Sequence, residues 1–195
     1  MANQRKTETK RKIKRAFAKL LLEKGIDNLT VSDIARESHI NRGTFYLHYL
    51  DKYDLLEKLE TEVLEDLQAI FDKYDENKEE DPVELIPYEA ILEALNYVLH
   101  DFDFVKALVN KGGDHHFIER FKQLVGITIG RQIKKSDKLQ FRMEGLPEDY
   151  AFEILLSSIL AIVQLWIKKD AAESPEEIAE MINKAKQLPP YQLLL

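Results

Sequence analysis

The chain has 195 residues, 45% of them hydrophobic, with only 7 glycines and 6 prolines; that is enough for a real core and too few turn residues for an all-β chain, so helices are favoured. The absence of cysteine excludes disulfide scaffolds, thiolate metal sites and cysteine nucleophiles, and agrees with a reducing cytoplasm. The net charge of −7 speaks against a surface that is polyanion-binding throughout.

Residues 1–9 are polar and read as a frayed end. From Thr9 the apolar positions Ile13, Phe17, Leu20 and Leu21 fall on one helical face, and Gly25 is placed to end that helix. Thr30-Val31-Ser32-Asp33 has the form of a capping box and opens a second, two-turn helix with Val31, Ile34, Ala35 and Ser38 inward. After a break at His39-Ile40-Asn41, Asn41 is suited to cap a third short helix over 42–49, with Phe45 and Tyr49 pointing to the core. Asp51 then caps a long helix to about Tyr74, its inner face formed by Leu55, Leu56, Leu59, Val63, Leu67 and Ile70.

Residues 75–82 are charged and read as a solvated connection. Helical spacing returns over 83–100 and 102–110, stops at Gly112-Gly113, and resumes from a cap at Asp114 to Lys135. A loop over 136–147 leads into a helix over 147–169 that is apolar around much of its circumference and therefore needs two neighbours or a partner chain. Its longest apolar run, 154–167, contains Ser157, Ser158 and Gln164 and at about 14 residues is too short for a bilayer span. Ser174-Pro175-Glu176-Glu177 starts a last helix, stopped by Pro189-Pro190. Lys and Arg recur through 5–19, so no signal segment is expected there, and a soluble cytoplasmic protein without a membrane partner is the simplest reading.

The second and third helices, short and joined by a brief turn, have the form of a helix-turn-helix, in which one helix braces on the DNA backbone and the next enters the major groove. Charge supports this assignment. Residues 1–55 carry 12 Lys/Arg against 7 Asp/Glu, while the rest carries 16 against 28. A basic head on an acidic body directs only the head to a polyanion. On the exposed side of 42–49, Gly43 permits close backbone approach, Thr44 and Tyr46 offer hydroxyls, and Arg42 and His48 can donate to base edges or phosphate.

The run Thr30-Val31-x-x-Ile34-Ala35, Ile40-Asn41-Arg42-Gly43-Thr44-Phe45-Tyr46-Leu47-His48-Tyr49 and Lys52-x-Asp54-Leu55-Leu56 closely resembles the DNA-binding signature of the TetR family. The resemblance implies an all-α fold of about nine helices. It comprises a three-helix DNA-binding domain over 1–55 and a helical ligand-binding and dimerisation domain over 56–195. It further implies that Thr30 and Ser32 lie near the DNA backbone, that Arg42, Gly43, Thr44, Tyr46, Leu47 and His48 face the groove, and that Lys52 grips a phosphate. The family has Gly where this chain has His39, so His39 must take up any positive φ the turn requires. The last two helices match the family's dimer bundle, which makes Leu156, Ile159, Val163, Ile178, Met181 and Ile182 candidate interface residues.

Phe102, Phe104, Phe117, Phe121, Phe152 and Trp166 are candidates to line a cavity for an unknown small-molecule effector, against the simpler reading that they are core. His115-His116 point about 100° apart on a helix and do not chelate one ion; His100-Asp101 read as a helix end. No phosphate-binding glycine loop, nucleophile elbow or metal-ligand cluster is present, so neither a cofactor nor an enzymatic activity is expected. The expected function is a homodimeric regulator, by family precedent a repressor, that binds a palindromic operator in duplex DNA and is released by a ligand. The alternative is a helical protein–protein adaptor.

Overall fold

The computed structural model describes residues 2–75, 85–110, 115–135 and 147–187, which form nine α-helices and no strand. They are α1 (Ala2–Asn28), α2 (Val31–Glu37), α3 (Arg42–Tyr46), α4 (Lys52–Asp75), α5 (Tyr88–His100), α6 (Phe102–Val109), α7 (His115–Lys135), α8 (Glu148–Lys168) and α9 (Pro175–Gln187). The charged connection after residue 75, Gly112-Gly113, the Asp114 cap, the loop up to residue 146 and Pro189-Pro190 lie outside the described residues.

Where boundaries differ from the sequence reading, local chemistry accounts for it. Helix α1 starts at Ala2 rather than Thr9; at Gly25 the backbone leaves the helical region (φ 73°, ψ 164°), so the regular helix is interrupted there as the sequence reading expects, and a further short helical stretch follows to Asn28. Helix α5 begins at Tyr88, after the non-helical residues 85–87, with Pro87 supplying the first helical carbonyl, to Ile91 N–H; a residue before proline disfavours the helical region, and residues 83–84 lie outside the described ones. Helix α3 stops at Tyr46, with Leu47 as its C-cap, although a final turn to Tyr49 is still held by Phe45 O.

The chain divides into two compact units: residues up to Glu65 with Asp101–Ile118, and Asp66–His100 with residues from Glu119 onward. In the first, Ile13, Phe17 and Leu21 of α1 are fully buried with Ile34, Phe45 and Leu55. Helix α6 packs on α1 in the same unit. Lys14 forms an ion pair with Asp101, the N-cap residue of α6, and its ammonium lies 4.8 Å from the Phe104 ring centroid. His100 and Asp101 are thus a helix end, as expected.

In the second unit α9 packs on both α8 and α5. Leu156, Ile159, Leu160, Ile167, Ile178, Ala179 and Ile182 are buried there, together with Ile91, Leu95 and Val98. Helices α7 and α8 approach closely at Gly126, where a Cβ would lie 3.3 Å from Leu156 Cδ1. Trp166 is almost fully buried, and its indole N–H donates to the Glu173 carbonyl at 2.8 Å across the α8–α9 turn. Ser174 and Glu177 close a capping box at the start of α9. Helix α8 is, contrary to the sequence reading, long and apolar enough to cross a membrane, a test that a core helix also passes; only a third of its apolar stretch is buried in the chain. Tyr150, Ile154 and Leu165 remain exposed along it.

Two helices end in the same unusual way. At the end of α2, His39 N–H donates to Arg36 O and Ile40 N–H to Ala35 O; at the end of α8, Asp170 N–H donates to Ile167 O and Ala171 N–H to Trp166 O. These are Schellman motifs, which favour glycine at the left-handed position. Here His39 (φ 55°) and Asp170 (φ 59°) occupy it. His39 therefore takes the positive φ anticipated from the sequence. Its exposed side chain gives little in return, so His39→Gly should stabilise the protein by about 0.5–1 kcal/mol, net of the entropy glycine adds to the unfolded chain. Thermal melting reads this directly, and a fall in melting temperature would show that the imidazole itself holds the turn.

Candidate nucleic-acid interface

Each short helix of the motif is fastened at its start. Thr30 Oγ1 accepts from Asp33 N–H at 3.1 Å, and the Asp33 carboxylate accepts from both the Thr30 N–H and hydroxyl. Those bonds hold the Asp33 carboxyl below the usual carboxylate range, helped by Lys24. Asn41 Oδ1 accepts from Gly43 N–H at 2.9 Å to start α3, and Asp51 Oδ1 accepts from Tyr53 and Asp54 N–H to start α4. In the intervening turn, Ser38 is buried and its hydroxyl donates to Ile34 O at 2.6 Å.

The underside of the motif is apolar. Phe45 is fully buried and Tyr49 nearly so, with ring centroids 5.6 Å apart. Burial pushes the Tyr49 hydroxyl up to about 12, the Glu62 and Asp54 carboxylates adding to the shift. Ile34 and Ala35 of α2 are buried as expected, while Val31 is only partly covered.

The opposite side presents Arg42, Gly43, Tyr46 and Leu47 to solvent, with Thr44 and His48 partly buried. Arg42 Nη2 reaches the Tyr46 hydroxyl at 3.4 Å, a weak contact that leaves most of the guanidinium free for another partner. Gly43 has helical φ, and a Cβ there would meet only Asn41 Oδ1 at an ordinary 3.6 Å. Nothing within the chain demands glycine at this position.

Two of the expected contact residues also have partners within the chain. Thr30 is exposed, but its hydroxyl and N–H are both used in the capping box. Lys52 Nζ lies 3.0 Å from both Asp27 O and Leu29 O, tying the start of α4 to the α1–α2 connection. Two of its three donors are thereby occupied. Ser32 is exposed, as its expected position near a backbone requires.

Leu50 and Tyr53 were not singled out from the sequence, yet both are exposed, Leu50 by 78%. Leu50 immediately precedes the Asp51 cap, where an apolar residue usually packs back on its own helix as a staple. Its N–H is anchored to Asp54 Oδ2 at 2.8 Å, but its side chain is not covered.

The remaining candidates are distributed over the two units. Phe102, Phe104 and Phe117 belong to the first; Phe121, Phe152 and Trp166 belong to the second. Phe104, Phe117 and Trp166 are buried, whereas Phe102, Phe121 and Phe152 are partly so. Of the candidate interface residues, Leu156, Ile159, Ile178 and Ile182 are already buried within the single chain, Val163 is partly buried and Met181 exposed.

Comparison with known proteins agrees with this geometry. Residues 13–59 match the family model of bacterial regulatory proteins of the tetR family, and residues 87–186 match that of a transcriptional regulator C-terminal region. An HTH-type transcriptional regulator of Bacillus subtilis (strain 168), YxbF, is 25% identical over 178 residues, 87% of this chain. The chain spans 42% of the length of that curated relative. Among solved structures, a TetR-family regulator from Syntrophomonas wolfei superposes with a TM-score of 0.65 at 23% identity, covering 93% of this chain and 94% of its own. A TetR regulator from Streptococcus agalactiae gives 0.61 at 23% identity, covering 93% and 97%. With both parts of the chain matched and the fold shared along nearly its whole length, this protein belongs to the TetR family of DNA-binding, helix-turn-helix transcriptional regulators.

Proposed function

We propose that the protein is a homodimeric repressor that binds a palindromic operator through α3 and leaves it when a small molecule occupies the second unit. The observation that carries the DNA reading is Gly43. It lies in mid-surface on α3, costs helix stability, and answers to no steric need of the chain itself. A partner that must come within backbone distance of α3 accounts for it, as the wall of a DNA groove does.

One five-residue helix reads few base pairs, so useful affinity calls for two copies set about one helical turn of DNA apart, ~34 Å. The uncovered stripe of α8, Tyr150, Ile154 and Leu165 with the small Ser157 and Ala161 between them, is the surface we assign to the second copy. Release follows if an effector alters the course of α4, which runs without a break from Lys52, next to the recognition segment, to Asp75. A coupling of roughly 1–3 kcal/mol suffices. Lys52 has one ammonium N–H beyond those bound to Asp27 O and Leu29 O, and we assign it to a phosphate.

Three measurements test this reading. Gly43→Ala should leave the protein as stable or more stable, by up to about 1 kcal/mol, while weakening duplex binding at least tenfold; unchanged binding would remove the close-approach argument. Lys52→Met should cost about 1–2 kcal/mol of stability and flatten the dependence of log affinity on log salt by about one phosphate. An adaptor that does not bind DNA would show no steep salt dependence at all. Leu165→Asp, at a side chain 58% exposed in the single chain, should yield a folded monomer in sedimentation; a persistent dimer would place the interface elsewhere.

A further inference from the structure

Leu47 is 82% exposed, the most exposed large apolar side chain among the described residues. It is also among the more firmly positioned. It is the C-cap of α3, and its N–H is directed to Gly43 O and Phe45 O. Two residues before it Phe45 is fully buried, and two residues after it Tyr49 is 3% exposed. Residues two apart on a helical turn point to nearly opposite sides, so the same packing that pulls both aromatic rings inward pushes the Leu47 side chain out. The leucine is held in water by the core beneath it.

Its neighbours on the outer side are Arg42, Thr44 and Tyr46, which can hydrogen-bond to base edges and phosphates. Leucine can do neither. The apolar group that base edges offer in the major groove is the C5 methyl of thymine. Leu50, 78% exposed in the following turn, extends the apolar surface next to it. The surrounding head has an excess of Lys and Arg over residues 1–55, complementary to the phosphates that flank such a methyl group.

We propose that Leu47 is a specificity-determining residue that reads a thymine methyl in each half-site of the operator. The proposal rests on the DNA-binding reading of α3 given above and adds to it the base that this side chain selects. Burying one methyl group on leucine is worth about fourfold in affinity per half-site and about fifteenfold for a two-fold symmetric site.

The experiment uses the full-length protein and a pool of random duplex DNA. Selection should enrich inverted half-sites with a thymine at one symmetric position. Deoxyuridine placed at that position retains the hydrogen-bonding edge and the charge and removes only the methyl; it should weaken binding about fourfold in one half-site and about fifteenfold in both. Leu47→Ala should bind the thymine and deoxyuridine sites equally, with the salt dependence of the wild type, and Leu47→Met should keep the discrimination. Melting of the variants checks that the fold survives, as the exposure of Leu47 leads one to expect. A sequence-selective protein that does not distinguish deoxyuridine from thymine at any selected position, or whose discrimination survives Leu47→Ala, overturns the assignment of Leu47 alone. A protein that enriches no duplex overturns this assignment and the DNA-binding reading together.

Discussion

A helix of five residues has no stability of its own, since nucleation is costly and α3 is too short to recover that cost by propagation. What makes it a rigid probe is the burial of Phe45 and Tyr49 on its inner side, with the Asn41 cap at its start. The polar face of the motif has a fixed geometry because this aromatic anchor is fixed. The Tyr49 hydroxyl, whose ionisation burial disfavours still further, brings no charge into that anchor.

The polar groups of the head separate into two sets once their partners are known. Thr30, Asp33, Asn41, Asp51 and Lys52 bind backbone groups of the chain itself and define how the helices start and how they are joined. Arg42 and Tyr46 make only a weak contact with each other and stay exposed, beside a glycine that the chain has no steric need for. A hydroxyl already engaged as donor and acceptor has little left for DNA, whereas an exposed guanidinium can still form a paired contact.

Beyond the head, α6 packs on α1 within the first unit, with Lys14 between Asp101 and the Phe104 ring. Helix α8 in the second unit has the opposite character: it is largely apolar, but only a third of its apolar stretch is buried in the chain. The exposed Tyr150, Ile154 and Leu165 form the apolar stripe proposed above for a second copy of the chain.

Sequence by itself determined the elements whose signals are local. Capping residues at Thr30, Asn41, Asp51 and Ser174, helical spacing in α1, α4 and α9, and the inward turn of Phe45 and Tyr49 all depend on residues within a few positions of one another. The strained φ of His39 was legible for the same reason, as a departure from glycine at one position of a short motif. Tertiary structure alone decided which partners distant groups would take. Lys52 binds carbonyls 25 and 23 residues earlier, Lys14 meets Asp101, and Trp166 closes the α8–α9 turn. Leu156 and Ile159 are buried at home while Leu47 and Leu50 stand in solvent. Periodicity says that a side chain is apolar and on which face it lies, but whether that face is covered depends on chain segments far away in sequence, and no local pattern encodes their arrival.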